Sequence, residues 1–437
     1  MRNLTLLALL LAAPAAAQNR PAPEQPSPER LKADVEKLVS FGTRHTLSSA
    51  TDPVRGIGAA RKWAADELNR IGEKCGCIEV ANIARTFTGP RAPNGVEVVN
   101  VLGFQAGEDP KRVVIVQGHI DSRVSDPLNF TADAPGANDD ASGVALVIEA
   151  ARILSKQKHR ATIIYAALSG EEQGLWGGTL LAETAKERGW TVVAVLNNDI
   201  VGGTMGQNGV RVADRVRVFS EGIRASETLE EQIRRRGDGG EDDGPSRALA
   251  KAIDKVADGL RKDSPDALDA FIVRRPDRFG RGGDHEPFLR LGYPAVRFSV
   301  GAEHYDQQHQ DLRTENGRVY GDTIDKMDFP YLAKVTALNV ATIRRLANAP
   351  DAPSGVVLDG ALSHDIKVKW NPVAGARGYR VHWRRNDMQD WTDVRGVAGR
   401  TETVLKDVPV DDHFVGVSAV AADGSESIVT FGTRPPR

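Results

Sequence analysis

The chain has 437 residues, room for two or three domains and at least one large core, and its 41% hydrophobic and 27% charged content is ordinary for a globular protein in water. A net charge of -2 gives no electrostatic pull toward nucleic acid or an anionic membrane. Aromatic residues, at 5%, are too sparse for a base-stacking surface.

The first residues read as an export signal. Arg2 supplies a positive charge, residues 6–11 are a short apolar core, and Ala15, Ala16 and Ala17 fit a small-residue cleavage site. The signal peptide is therefore expected at 1–17, leaving Gln18 first. Its apolar run is too short to span a bilayer and no longer one follows, so the protein is expected to be exported, periplasmic or extracellular, without a membrane span. Residues 18–28, which include PAPEQPSP, read as an extended Pro-rich spacer.

Residues 28–40 place Leu31, Val35, Leu38 and Val39 on one helical face, and a second helix is expected over 53–71, stopping near Gly72. Cys75 and Cys77 are the only cysteines. Two sulfurs without nearby histidines do not complete a metal site, and export favours a disulfide across Gly76. Strands follow at 78–87 and 96–105, joined by a polar loop, and at 111–117. A helix of small and apolar residues is expected at 142–154, a buried strand at 162–168, a helix around 180–188 and a strand at 191–196. After a strand at 215–219, the charged, Gly-rich stretch 224–244 reads as a mobile excursion. A helix at 245–260, short elements at 271–273 and 285–291, a strand at 295–300 and a closing helix at 329–347 complete the section.

Alternating strands and helices over 29–348 predict an α/β fold, a mostly parallel twisted sheet covered by helices on both faces. Composition changes at the linker-like 349–353. Short alternating segments at 365–370, 379–384, 401–405 and 414–420 then predict a small all-β sandwich over 349–437.

Five segments deliver carboxylates or imidazoles where α/β strands and their connections end. They are Gly118-His119-Ile120-Asp121, the loop PGANDDASG at 135–143, Ser169-Gly170-Glu171-Glu172, Asn197-Asn198-Asp199, and a loop with His304 and His309. Sites in open α/β sheets form at the carboxyl ends of the strands. Adjacent glutamates repel unless a cation lies beside them. A pair of divalent metals, each held by two carboxylates and one imidazole with one carboxylate shared, satisfies this set. Mixed N/O ligation without thiolate suits zinc, with manganese or cobalt as substitutes. Two ions roughly 3.5–4 Å apart share a hydroxide and polarise a carbonyl, the requirements of metal-assisted hydrolysis.

The series GHID, PGANDDASG, SGEEQGLWG, NND and a late histidine resembles the co-catalytic zinc exopeptidases related to aminopeptidase Y and the secreted bacterial leucyl aminopeptidases, over about residues 30–348. The resemblance implies two zinc ions per chain and release of N-terminal residues from a peptide substrate. It assigns His119 and Asp199 to one zinc, Glu172 and His309 to the other, and Asp139 to both. Glu171 becomes the general base acting on a metal-bridged hydroxide. Asp121 is expected to orient His119 by accepting its imidazole N–H, and Asn138 and Asp140 to support the bridging loop. The family's usual Tyr-His-Thr ending is absent, and His309 is preferred to His304 for its place in QHQD. Asp284, His285, His304 and Tyr305 are candidates for the pocket, with Trp176 and Phe288 as further lining. Arg297 and the histidines at 45, 159, 364, 382 and 413 are expected to be structural or exposed.

The C-terminal section resembles a fibronectin type III sandwich in Trp370, Tyr379 and the run FVGVSAVAADGSES, with His413 where such domains carry a corner tyrosine. Docking on the catalytic domain, attachment to a surface ligand and simple spacing are its candidate roles. Alternative functions on the same fold are a carboxypeptidase-like enzyme or amidohydrolase, a glutaminyl-cyclase-like transferase with one zinc, and a non-catalytic receptor or adhesion protein. The GANDDASG segment and the absence of an inserted dimerisation domain argue against the first pair, metal stoichiometry separates the transferase, and the complete ligand set argues against the receptor.

Overall fold

The computed structural model describes residues 24–435; the expected signal peptide and its cleavage point lie outside the described residues. No helix among them is long and apolar enough to cross a membrane. The chain opens with α1 (Pro28–Val39), whose N-cap Ser27 accepts the Arg30 amide at 3.2 Å, so helix begins at the last residue of the expected spacer. Helix α2 (Ile57–Cys75) runs past Gly72 and stops at Gly76, in the left-handed region at φ 62°. Gly72 is not a stop. A Cβ there would lie 2.5 Å from the Ile78 carbonyl oxygen, so the glycine admits close packing instead. Cys75 and Cys77 form a disulfide.

Strands β1 (Ile78–Gly89) and β2 (Ala92–Gln105) make a longer hairpin than expected. Gly89 pairs with Ala92, so the chain turns at Pro90-Arg91 and the predicted loop around Pro93-Asn94-Gly95 is mostly strand. The chain then forms β3 (Asp109–His119), α3 (Ala141–Leu154), β4 (Ala161–Leu168), the single turn α4 (Glu171–Gly174), α5 (Trp176–Glu187), β5 (Thr191–Asn198) and β6 (Arg215–Phe219). There follow α6 (Leu229–Gly237), α7 (Pro245–Asp263), β7 (Asp269–Val273), α8 (Glu286–Arg290), β8 (Ala295–Val300), the small hairpin β9 (Arg313–Glu315) and β10 (Arg318–Tyr320), and α9 (Phe329–Asn348).

Eight strands form one sheet in the order β1-β2-β4-β3-β5-β8-β6-β7. Its centre, β4-β3-β5-β8, is parallel, which brings four strand ends to one edge. Burial explains the pattern: β4 is buried throughout, and Val114, Ile115 and Val116 of β3 are fully buried, as a strand covered on both faces requires. Helix α3 packs on β3 and between α1 and α9, with every residue but Arg152 buried. Its first turn must approach the sheet closely. A Cβ on Gly143 would lie 2.1 Å from the Asn198 carbonyl oxygen, and one on Gly118 2.7 Å from the Gly143 carbonyl carbon. These two glycines bring the start of α3 against the ends of β3 and β5.

The expected excursion at 224–244 is ordered. Thr228 and Glu231 form a reciprocal cap on α6, Glu227 binds Arg224 and Arg235, and Asp238 binds Arg434. Gly239 and Gly240 sit against Phe414 and Phe431. The segment has no apolar face, and ion pairs with the C-terminal residues fix it instead.

Two smaller antiparallel sheets end the chain. One joins β11 (Val357–Asp359), β12 (Ile366–Lys369) and β15 (Glu402–Leu405). The other joins β13 (Gly378–Arg385), β14 (Asp393–Ala398), β16 (His413–Val420) and β17 (Thr430–Phe431) in the order β14-β13-β16-β17. Their facing sides share a core that includes Trp370, Tyr379, Val381 and Val417. His413 Nδ1 lies 3.0 Å from the Pro409 carbonyl oxygen. Polar contacts to the α/β section are buried. Arg384 donates to Asp243 at 2.6 Å, and Glu426 accepts from Lys255 at 3.0 Å and Arg345 at 2.8 Å.

Candidate metal centre

The strand ends converge at one edge of the sheet. β3 delivers His119, β4 leads through Ser169-Gly170 into Glu171 and Glu172, and β5 leads into Asp199. Asp139 comes from the loop before α3, and His309 from the loop after β8. Donor atoms of His119, Glu171 and Asp199 lie within 4.8 Å of one another, and so do those of Asp139, Glu172 and His309. Asp139 touches both groups: Oδ1 is 3.1 Å from His119 Nε2 and Oδ2 is 3.0 Å from His309 Nε2. His309 Nε2 is also 3.0 Å from Glu172 Oε1, and His119 Nε2 is 3.8 Å from Asp199 Oδ1. His304 is outside the cluster. It lines a small cavity behind the Asp139 loop, so the later histidine is the one brought to the carboxylates.

The charges require a cation. Burial pushes the Glu171 carboxyl well above the usual range, and Glu172 and Asp199 push it the same way. Burial acts against charge on His119, but Glu171, Asp121, Asp139 and Asp199 hold its imidazolium well above the usual histidine value. Burial likewise opposes His309, yet Glu172 and Asp139 raise it to about 10. The Arg123 guanidinium lies 2.6 Å from His309 Nδ1 on its other side. Asp139 is driven well below its ordinary value, its own burial outweighed by His119 and His309.

A zinc ion fits the donor set on this structure's own terms. Buried His119 Nε2 and Glu172 Oε1 have no hydrogen-bond partner, although carboxylate or imidazole atoms lie about 3 Å away in distance. Nitrogen and oxygen donors without sulfur suit zinc, with manganese or cobalt as substitutes.

Neighbouring groups hold each donor. Asp140, the N-cap of α3, accepts the His119 amide at 2.9 Å and the Gly143 amide at 2.9 Å. Asp322 accepts the amides of Asn138 at 2.9 Å and Asp139 at 2.7 Å. Asn138 Oδ1 accepts the Gly202 amide. Arg297 is fully buried on β8, where it pairs with Asp199 Oδ1 at 2.7 Å and Asp277 at 3.3 Å. Arg123 donates to Glu172 Oε2 at 2.7 Å. Sequence reasoning missed Arg297, Arg123 and Asp322; an arginine next to Phe298 inside a buried strand was the one signal in reach.

Asp121 acts differently from expectation. The nearest acceptor for His119 Nδ1 is the Asp121 carbonyl at 3.0 Å, with the carboxylate at 3.6 Å. That carboxylate instead accepts Thr46 Oγ1 at 2.9 Å and the Glu172 amide at 3.1 Å, fixing the glutamate turn.

The site opens into a pocket of about 530 Å³, lined by Asp139, Glu171, Glu172, Asp199, His309 and the turn Pro90-Arg91 among others. Several expected lining residues are elsewhere. His285 is buried at the N-cap of α8 with Nε2 2.8 Å from the Pro276 carbonyl oxygen. Asp284 is buried beneath α5, accepting the Gly178 amide at 2.9 Å, and burial raises its carboxyl to about 7. Tyr305 points to solvent, Phe288 is core, and Trp176 stacks on Phe87 at 5.4 Å, supporting the hairpin.

An α/β sheet carrying histidines and carboxylates at its parallel strand ends is the framework of a zinc-dependent peptidase. The chain belongs to Peptidase family M28, which matches residues 100–342. A probable zinc metalloprotease of Leptosphaeria maculans is 43% identical over 429 residues, covering 94% of this chain and 98% of that protein. One from Pyricularia oryzae is 42% identical over 416 residues, covering 92% and 82%. Among solved structures, a leucine aminopeptidase precursor from Bacteroides thetaiotaomicron superposes with TM-score 0.52 at 18% identity, covering 74% of this chain and 98% of that one. LapB from Legionella pneumophila superposes with TM-score 0.52 at 17% identity, covering 74% and 73%. These structures share the fold. The protein is a zinc-dependent metallopeptidase.

Proposed function

We propose that this peptidase is an exported di-zinc aminopeptidase of the aminopeptidase Y and bacterial leucyl aminopeptidase kind, removing N-terminal residues from peptides. The observation that carries the reading is Asp139, with one oxygen 3.1 Å from His119 Nε2 and the other 3.0 Å from His309 Nε2. A carboxylate so placed serves two metal positions. His119 and Asp199 would hold one zinc, Glu172 and His309 the other. Zinc bound there supplies Lewis-acid polarisation of the scissile carbonyl and acidifies water. Glu171, half-buried on the pocket wall beside His119 and Asp199, takes a proton from the attacking water and returns it to the leaving amine. Asp121, Arg123 and Arg297 keep His119, Glu172 and Asp199 in place.

Residues 1–17 are read as the signal peptide, 18–28 as the spacer, 29–348 as the catalytic domain and 349–437 as a fibronectin type III-like sandwich. The Asp243–Arg384 and Glu426–Arg345 pairs support docking of the sandwich on the catalytic domain. The alignment with the Leptosphaeria relative covers 94% of this chain, which supports reading the sandwich and the catalytic domain as one unit.

The test combines metal analysis with substrates. Two zinc ions per chain, loss of aminoacyl-amide hydrolysis on chelation, recovery with zinc and no cleavage of N-blocked peptides are expected. Glu171→Gln retains both metals and loses turnover. One metal per chain would favour a glutaminyl-cyclase-like transferase instead, and an active Glu171→Gln enzyme refutes the assigned base. N-terminal sequencing of protein recovered outside the cytoplasm is expected to begin at Gln18.

A further inference from the structure

Four arginines line the pocket over the carboxylate–histidine cluster: Arg91, Arg123, Arg278 and Arg281. Two are matched by nearby acids. Arg123 pairs with Glu172 at 2.7 Å, and Arg278 with Asp277 at 2.9 Å. The other two are not. Arg281 reaches Glu303 at 2.9 Å, but Glu303 also takes Arg217 at 2.5 Å and Arg278 at 3.4 Å, so one carboxylate faces three guanidiniums. Arg91, exposed at the tip of the β1–β2 hairpin, donates to the Glu172 carbonyl and makes no ion pair among the described residues.

The floor of the pocket does not offset them. Asp139, Glu171, Glu172 and Asp199 carry the negative charge there, and two divalent cations would cancel those four charges, leaving no Glu172 charge over for Arg123. Glu286 is the remaining carboxylate on the wall, and it pairs with Arg290 at 3.0 Å. A loaded pocket is therefore positive on its walls, and its concave shape concentrates that field on a bound peptide.

We propose that this pocket selects peptides carrying a carboxylate close to the scissile bond, received by the guanidiniums of Arg281 and Arg91. The inference rests on the aminopeptidase reading and names its substrate class. An acidic first side chain and the free C-terminus of a very short peptide present the same planar acceptor, which a guanidinium matches with two parallel N–H donors.

The experiment compares kcat/KM of the zinc-loaded protein on Glu-Ala-Ala-amide and Gln-Ala-Ala-amide, and on Ala-Ala and Ala-Ala-amide. A preference of about tenfold or more for the anionic member of either pair is expected, falling with added salt, and the pair showing it identifies the source of the carboxylate. Arg281→Gln and Arg91→Gln reduce that ratio through KM, and Arg281→Lys restores part of it. Calorimetric binding of glutamate against glutamine gives the same comparison without turnover. Equal kcat/KM within both pairs overturns the inference while leaving the aminopeptidase reading standing. If no peptide is cleaved, the aminopeptidase reading fails, and the glutamate-to-glutamine affinity ratio in wild type and Arg281→Gln still decides whether the subsite exists.

Discussion

Replacing Glu426 with glutamine tests how the C-terminal sheets are held. The carboxylate is 2% exposed and accepts from Lys255 at 3.0 Å, Arg345 at 2.8 Å and Ser418 at 2.8 Å, with His382 at 3.1 Å and Arg380 also in contact. Lys255 lies on α7, Arg345 on α9, Arg380 and His382 on β13 and Ser418 on β16, so one buried charge joins four elements. Breaking a buried pair from one side costs ~3–5 kcal/mol. The lower end applies, because Lys255 and Arg380 remain 49% and 39% exposed and regain water. The loss expected at pH 7 is ~3 kcal/mol. Burial opposes the charge, but His382, Lys255 and Arg345 hold the carboxyl far below its ordinary 4.5. A depressed acid contributes stability above the unfolded value and loses it as pH falls toward the folded one. The wild-type advantage is thus constant above 4.5 and shrinks by ~1.4 kcal/mol per pH unit below it. Urea titrations of zinc-free protein between pH 7 and pH 3.5 measure both numbers. A gap under ~1 kcal/mol at pH 7, or one that acid leaves unchanged, would refute the reasoning.

Arg297→Met removes the cation paired with Asp199 and Asp277, and is expected to cost the zinc-free protein ~3 kcal/mol, part of which zinc restores through Asp199. Equal losses with and without zinc in denaturation would sever that link. Gly143→Ala places a Cβ 2.1 Å from the Asn198 carbonyl oxygen and is expected to cost ~1–3 kcal/mol together with zinc affinity, read by denaturation and zinc titration. Asp139→Asn is expected to lower bound zinc below two per chain. Metal analysis showing two retained ions would deny Asp139 its shared position.

The donor residues were legible because each is encoded locally. An apolar run ending in Gly118-His119 or Ser169-Gly170-Glu171 announces both the strand and its terminus, and a parallel sheet then gathers the termini. Their supports were not legible, because long side chains reach them from distant segments. Asp322 binds the Asp139 amide across 183 positions, and Arg123 meets His309 across 186. The hairpin loop, expected between 87 and 96, was read too long because Gly89-Pro90 and Pro93-Asn94-Gly95 are both turn signals; pairing of Gly89 with Ala92 and the stacking of Phe87 on Trp176 tighten it to Pro90-Arg91. Helix α6 offers no apolar periodicity, and what orders it includes Arg434, about 200 residues later.

Those supports also separate the two adjacent glutamates. Arg123 takes Glu172 Oε2, and the Glu172 amide is held by Asp121, so Oε1 is left buried, unbonded and 3.0 Å from His309 Nε2. That is a carboxylate fixed in one orientation with one oxygen available to a metal. Among the described residues no donor reaches the Glu171 carboxylate, which faces the pocket with partial exposure. A ligand has to be held still, and a base has to reach its substrate and exchange a proton. The sequence places both residues at the end of β4, and the Arg123 guanidinium, which binds one carboxylate and not the other, helps make them unequal. Removing that arginine would therefore loosen the metal-binding glutamate first and leave the position of Glu171, set by the turn, unchanged.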